Sequence, residues 1–384
     1  MTQFLVFLTY LSITLVLYTY IIYPLLLWLI TRLYKRPTQL GNEALTVSLI
    51  IAAYNEAYII GEKVKNSFEL NYPQDKLQII VVADGSSDNT ADIAREAGQG
   101  KILVLHNPPR QGKSAALNRA VEQATGEILV FSDANAMYLT DTLTAIVQHF
   151  NDPEVGQVSG KKTVRSGESS IGDSEGAYWK YESLIKRKES LIFSTVGVSG
   201  EINAIRKNLY HPIPQHIIND DAYLAMRTMK MGKRIIYEPQ AISWETSALS
   251  IDDEIARRKR INSGRYQLMF MINLWCFNDI RTLLMMISHK FFRLLLPFFM
   301  IFALIFNILA VFSGARGLII LTLIGQILVY ALAYWGYLLD KSGKKNKIAK
   351  LVFFIVRSNI ASLEGFKGFL TKRQSVLWEK VQRG

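Results

Sequence analysis

The chain has 384 residues, half of them hydrophobic and only 20% charged, with 44 basic and 32 acidic side chains and a formal net charge of +12. That length matches roughly two domains of about 100–200 residues each, and the apolar content excludes intrinsic disorder. Cys276 is the only cysteine, which excludes a disulfide within the chain and a cysteine-based zinc site.

The first predicted element is a membrane span. From Phe4 to Thr31 there is no charged residue or histidine, and at about 1.5 Å per residue such a run exceeds the roughly 30 Å hydrocarbon core. A cleaved signal peptide fits poorly. Met1–Gln3 carries no positive charge, and the apolar run is much longer than a typical core of about 7–15 residues. An uncleaved anchor over residues 1–36 is expected.

Between about Leu45 and Asp279, short β-branched runs alternate with helical patterns. Strands are predicted at Thr46–Ala53, Leu77–Ala83, KILVLH and Glu127–Ala134. Helices are predicted at Ala57–Leu70, around Asn89–Ala97, and at Lys113–Ala124. This alternation points to an α/β domain with a mostly parallel sheet and helices on both faces. Ligands of such sheets bind at the carboxyl ends of the strands. His211 and His216 flank the proline-bearing HPIPQH and read as a loop, not a metal pair.

Chemistry-bearing residues stand at those strand ends. Ala53-Tyr54-Asn55-Glu56 follows the first strand and DGSSDNT, Asp84–Thr90, follows the second. Asp84 is placed to accept hydrogen bonds from a nucleoside, although Asp-Gly followed by a capping Ser87 or Asp88 also makes an ordinary turn. Gly112-Lys113-Ser114 resembles half of a phosphate loop. Asn107 stands where the upstream glycine belongs, so an ATP-hydrolysing loop is not expected. A cation at a helix start still suits a diphosphate.

Ser132-Asp133-Ala134-Asn135 follows the fourth strand. Oxygen ligands at positions i and i+2 can reach a divalent cation bound to a diphosphate, here Asp133 and the neutral carbonyl of Asn135. Asn219-Asp220-Asp221 opens a helix over Ala222–Met231. Its acids either complement the helix dipole or supply a general base. Arg257-Arg258-Lys259-Arg260 lies on a helix just before the membrane. It reads either as a lipid-facing basic face or as a clamp for a departing nucleoside diphosphate.

Ile280–Arg293 mixes apolar and basic residues and is expected to lie in the interface. Two uncharged runs follow, Leu294–Ala315 and Gly317–Leu339, joined at Arg316. They are predicted as two spans within 294–339. Leu351–Leu370 is apolar-rich but holds Arg357, Glu364 and Lys367. That pattern favours an interfacial helix within a cytoplasmic basic segment, 340–384. Basic residues flank the first span at Arg32, Lys35 and Arg36, and follow the third at Lys341, Lys344, Lys345, Lys347 and Lys350. The positive-inside bias then puts the N-terminus outside and residues 45–279 in the cytoplasm of a multi-pass cell-membrane protein. Much of the +12 charge reads as topology and attraction to anionic lipid, so no nucleic-acid partner is expected.

In their order along the chain, VSLIIAAYNE, DGSSDNT, GKSAALN, FSDANAMY, YWKYE, VSGEINAIRK and NDDAYLAMR resemble a processive-type family 2 glycosyltransferase with a GT-A core. The resemblance runs from Val47 to the tail and is nearest to cellulose, chitin-oligosaccharide and poly-N-acetylglucosamine synthases. It implies that Ala53, Tyr54, Glu56 and Asp84 hold the nucleoside and that Lys113 lies near the nucleotide. Asp133 and Asn135 would form the metal and diphosphate site for Mg²⁺ or Mn²⁺. Asp221 would be the catalytic base, with Asp220 beside it in the substrate site. Gly200 and Glu201 would line the acceptor site, and Arg257 and Arg260 match the family's Q-x-x-R-W element. Three positions depart from the pattern: Asn135 replaces an aspartate, Arg257 a glutamine and Ile261 a tryptophan.

The expected activity is inverting transfer from a nucleoside-diphosphate sugar, uridine being the family's common base, to a growing polysaccharide. A glycolipid synthase with a lipid or lipid-linked acceptor is the alternative within enzymes, and a non-catalytic nucleotide-binding membrane scaffold the alternative outside them. Three spans are few for a polymer channel: either the interfacial helices and a homo-oligomer complete one, or the acceptor is lipid-linked or short, with export partners as further candidates.

Overall fold

The computed structural model describes residues 1–165, 170–246, 251–342 and 346–372. Lys344, Lys345 and the end of the tail lie outside them. The chain opens with α1 (Thr2–Leu17), a π-helical turn (Tyr18–Ile22) and α2 (Tyr23–Leu33), which form one apolar helix of 32 residues. Pro24 is the second residue after the π turn; with no N–H to donate, it cannot extend the regular ladder there.

The globular part begins with β1 (Val47–Ala53), α3 (Ile60–Phe68), β2 (Leu77–Ala83), α4 (Thr90–Gly98), β3 (Leu103–His106), α5 (Lys113–Gln123) and β4 (Ile128–Asp133). These four strands stand in the parallel order β3-β2-β1-β4. Every residue of β1 is buried, as expected for a strand covered on both faces. The buried clusters fall on the two faces of the sheet: Ile50, Ile80 and Leu129 on one, Leu49, Ile79 and Val130 on the other.

The second half departs from the simple alternation. It adds β5 (Met137–Tyr138), α6 (Thr142–Val147), β6 (Val155–Arg165), α7 (Ser170–Ile192), β7 (Asn203–Arg206), α8 (Asp220–Lys230) and β8 (Arg234–Thr246). The sheet has eight strands among the described residues, in the order β3-β2-β1-β4-β7-β6-β8-β5. It is mixed, because β7 runs antiparallel to both β4 and β6, and β5 antiparallel to β8. HPIPQH is irregular, as expected.

α9 (Ile251–Phe270) leads to α10 (Ile280–Met285), which continues through a π-helical stretch (Met286–Phe291) into α11 (Phe292–Phe312). The separate interfacial helix expected at 280–293 is therefore the first part of one 33-residue helix, Ile280–Phe312. Two of its basic residues face an acid of α7 instead of lipid headgroups: Lys290 lies 3.1 Å from Glu182 and Arg293 pairs with the same carboxylate. α12 (Leu318–Lys341) and α13 (Lys347–Leu370) complete the described chain. Among the described residues, three helices are long and apolar enough to cross a membrane: Thr2–Leu33, Ile280–Phe312 and Leu318–Lys341. α13 is not among them; it packs along α9 and α12.

Candidate active site

The loops after β1 and β2 lock together. Asn55 adopts a left-handed backbone (φ 54°). Its N–H donates to Ser86 Oγ (3.1 Å), and its side-chain oxygen accepts from Ser87 N (2.8 Å). Gly85 also has positive φ, 63°, and a Cβ there would meet Arg110 N at 2.4 Å, so only glycine lets the loop before α5 approach. Asp84 makes use of that approach. Fully buried, it accepts from Gly112 N (2.7 Å), Gln111 N (3.2 Å) and Arg119 Nη2 (2.9 Å). Tyr54 lies under the Arg110 guanidinium at 3.5 Å.

The anchored loop delivers Lys113 to the tip of β4. Its Nζ is 2.5 Å from Asp133 Oδ1 and 3.9 Å from Asp220 Oδ2, so one ammonium bridges acids that are distant in sequence. Burial opposes charge on Lys113, but Asp133, Asp220 and Asp221 outweigh it and raise its pKa. Burial pushes Asp133 upward, and the Lys113 ion pair more than reverses this, holding the carboxyl below its usual value.

A cavity of about 580 Å³ opens here. Glu56, Lys113, Asp133 and Asn135 border it on the side of the parallel strands. Gly200, Glu201, Asp220, Asp221, Arg257 and Arg260 border it on the other. Ten of the residues singled out in the sequence thus share one cavity. Ala53, Tyr54 and Asp84 do not line it; as placed, Asp84 fastens the 110–112 loop.

Asp221 lies at the start of α8, where its Oδ1 accepts from Ala222 N at 2.7 Å. Burial, reinforced by the neighbouring Asp220, pushes its carboxyl up to about 6. Burial lowers the Arg260 guanidinium, while Asp220, Asp221 and Asp133 pull it back. The helix carrying Arg260 is fastened beside the acids by Asn219 Nδ2, which donates to Ile261 O (2.8 Å), and by Gln267 Nε2, which donates to His216 O (2.8 Å). A Cβ at Gly264 would sit 2.7 Å from the Asn219 side chain, so this packing needs a glycine.

Several wall residues escaped the sequence reading. Lys162 pairs with Glu245 and lies 3.6 Å from Glu201, and Trp179 stands 5.4 Å from the same ammonium. YWKYE pointed to Trp179, but nothing local marks Lys162 or Glu245, which meet only through β6–β8 pairing. Beneath the Asp133–Asn135 turn, fully buried Lys63 donates to Ala136 O and lies 3.9 Å over the Tyr138 ring. Burial lowers its pKa to about 7. Tyr138 in turn donates to Glu201 O at 2.9 Å, joining the two sides of the site from below.

Residues 48–238 match the model of glycosyl transferase family 2. The poly-beta-1,6-N-acetyl-D-glucosamine synthase of Staphylococcus aureus (strain COL) is 26% identical over 243 residues, 61% of this chain and 58% of its own length. The synthase of the same name from Staphylococcus epidermidis is 27% identical over 231 residues, 58% of this chain and 55% of its own. The chain therefore spans a little over half the length of these curated relatives. A mannosyltransferase from Pyrobaculum calidifontis, solved in complex with GDP-Man and Mn²⁺, superposes with a TM-score of 0.70 at 23% identity. The match covers 95% of this chain and 99% of that one. At that identity the likeness establishes the shared fold.

Proposed function

We propose that this chain, which belongs to glycosyl transferase family 2 through residues 48–238, is a membrane-bound inverting glycosyltransferase that moves a sugar from a nucleoside-diphosphate donor to a growing polysaccharide. The observation that carries this reading is the meeting of Asp221 with Asp133, Lys113 and Arg260 around one cavity. The names of the staphylococcal relatives support a β-linked saccharide product. The three apolar helices and the flanking lysines and arginines support a multi-pass protein with this site on the cytoplasmic side.

Asp221 has the right proton affinity for a general base. At about 6 its carboxyl is ionised at neutral pH, yet more basic than a solvated aspartate. It takes the proton as an acceptor oxygen attacks the anomeric carbon. The bond from that carbon to the diphosphate breaks, and Arg260 and Lys113 receive the departing charge. A single displacement inverts the centre, giving a β-linkage from an α-linked donor. Glu201 Oε1 is buried and has no hydrogen-bond partner among the described residues, which suits it to an acceptor hydroxyl.

A divalent cation fits the hard oxygens of Asp133 and Asn135 on one turn. The described residues hold no cluster of three acidic, histidine or cysteine ligands, so donor phosphate and water would complete the shell. Bound there, Mg²⁺ or Mn²⁺ would neutralise diphosphate charge. The mannosyltransferase solved with GDP-Man and Mn²⁺ supports that donor and ion class.

One observation favours a second acceptor class. Part of the cavity wall is apolar, with Met226, Met229, Met286 and Leu294 among its residues, which suits a lipid-linked acceptor. Purified protein in detergent, offered UDP- and GDP-sugars with Mg²⁺ or Mn²⁺, should release nucleoside diphosphate from one donor. Sizing the product then separates polymer from glycolipid. Release from no donor of the panel overturns the reading.

A further inference from the structure

Beneath the acceptor side of the cavity, Glu189 of α7 is fully buried and uses both carboxylate oxygens. Oε1 accepts from Tyr23 OH at 2.6 Å and lies 2.9 Å from His289 Nδ1. Tyr23 belongs to the first apolar helix and His289 to the second, so two candidate membrane spans meet on one oxygen. Oε2 accepts from Thr195 Oγ1 (3.0 Å) and from Val196 N (3.2 Å). These residues open the loop 195–201, which runs through Val196, Val198 and Ser199 along the cavity wall to Gly200 and Glu201. Burial disfavours the ionised form of Glu189, but His289 and Tyr23 outweigh it and bring its pKa below the usual range. A buried carboxylate held by donors on both sides is a rigid joint, because each lost donor leaves a desolvated charge.

The joint is reinforced nearby. Lys186, one helical turn before Glu189, donates to Ser199 Oγ at 2.9 Å, and Ser199 N donates to Ser159 Oγ at 3.0 Å. The loop is thus held by α7 and β6 at its far end; the membrane helices reach it through the hydrogen bonds of Glu189 and through Lys290, which packs against Gly197.

We propose that Glu189 is a positioning residue through which the first two apolar helices set the geometry of the acceptor wall at Gly200 and Glu201. The tie makes productive alignment of the acceptor depend on how Tyr23 and His289 pack in the bilayer. It rests on the reading of Gly200–Glu201 as the acceptor wall; the donor side of the cavity, at Lys113 and Asp133, lies outside the tie.

Hydrogen exchange of the full chain in lipid nanodiscs tests the tie without requiring activity. Tyr23→Phe removes one donor and leaves Glu189 its others, so the chain folds. Amides of residues 196–202 should exchange about fivefold faster, the factor one lost hydrogen bond supplies, with β1 and β4 unchanged. Glu189→Gln should enlarge the same local effect. In parallel, with UDP-N-acetylglucosamine and N-acetylglucosamine oligosaccharides as probes, KM for the acceptor should rise about fivefold in Tyr23→Phe while KM for the donor holds. Unchanged exchange over 196–202 in both variants overturns the tie, as does faster exchange spread equally over β1 and β4. Local loosening in the variants, beside a wild type that transfers no sugar to any acceptor, leaves the tie standing and removes the transferase reading.

Discussion

Gly200 stands so close to Asp221 that a methyl group on its Cα would lie 3.3 Å from both Cβ and Oδ2 of that side chain. The carboxylate cannot move aside freely, because its other oxygen is held by Ala222 N at 2.7 Å. Gly200→Ala should therefore shift the proposed base by a few tenths of an ångström. Since displacement by about 1 Å can cost about a hundredfold, kcat should fall about fivefold to tenfold. Steady-state nucleoside diphosphate release measures this, and an unchanged kcat would separate Asp221 from the chemistry.

Asp221→Asn should abolish transfer while leaving donor binding by titration calorimetry near wild type, since Lys113, Asp133 and Arg260 remain. Residual transfer above a few per cent of wild type would remove Asp221 from the role. The substitution should also stabilise the fold at neutral pH. The folded-state pKa of about 6 lies above the ordinary 3.8. The stability Asp221 contributes is thus complete below its unfolded value and is lost as pH rises through about 6. Above that pH the neutral variant should melt at the higher temperature.

The same raised value sets the pH dependence of turnover. A general base must be unprotonated, so kcat/KM should climb tenfold per pH unit on the acid limb and level off above about 6. Asp221→Glu should shift the limb; Glu201→Gln should shift it less, Glu201 raising Asp221 only as the smallest contributor. A flat profile between pH 5 and 7 would falsify the assignment.

Of the ten expected residues that line the cavity, Glu56, Lys113, Asp133, Asn135, Asp220 and Asp221 stand just after a strand or at a helix start, where hydrophobic runs stop, whereas Gly200, Glu201, Arg257 and Arg260 were singled out through the motif resemblance. The three parallel-strand helices were found on the same grounds. What stayed hidden depends on pairing between distant strands. β5 is only two residues long, β7 reverses direction, and Lys162 reaches Glu245 only because β6 lies against β8. The 280–293 stretch was misleading for a related reason: Lys290 and Arg293 look lipid-facing until Glu182, more than a hundred residues earlier, is placed against them. Asp84 shows the opposite limit, since its position after a strand fits a ligand contact and a loop anchor equally well, and burial with three donors favours the anchor.

Lys113 would compete for Asp133 with a divalent cation bound as proposed. Nζ already sits 2.5 Å from Oδ1, so a bound ion must share or displace that contact. Lys113→Met should bind Mn²⁺ about tenfold more tightly in the absence of nucleotide, because a neighbouring positive charge is gone. It should bind nucleoside diphosphate more weakly, because the diphosphate loses the same charge. Mn²⁺ titration followed by calorimetry reads both. Weaker binding of both would mean that Lys113 chiefly shapes the turn.

Lys162 neutralises two buried acids at once, pairing with Glu245 and lying 3.6 Å from Glu201. Its side chain and both carboxylates are almost completely enclosed. Lys162→Met keeps the volume but leaves two desolvated carboxylates facing each other, a loss of about 3–5 kcal/mol when one partner of a buried pair is removed. Thermal unfolding at pH 7 should show that loss. Lys162→Met/Glu245→Gln should recover part of that stability, since one carboxylate fewer then faces the position the ammonium has left. If the double variant melts no higher than the single one, the lysine acts through packing against Trp179, and the charge assignment for this wall is wrong.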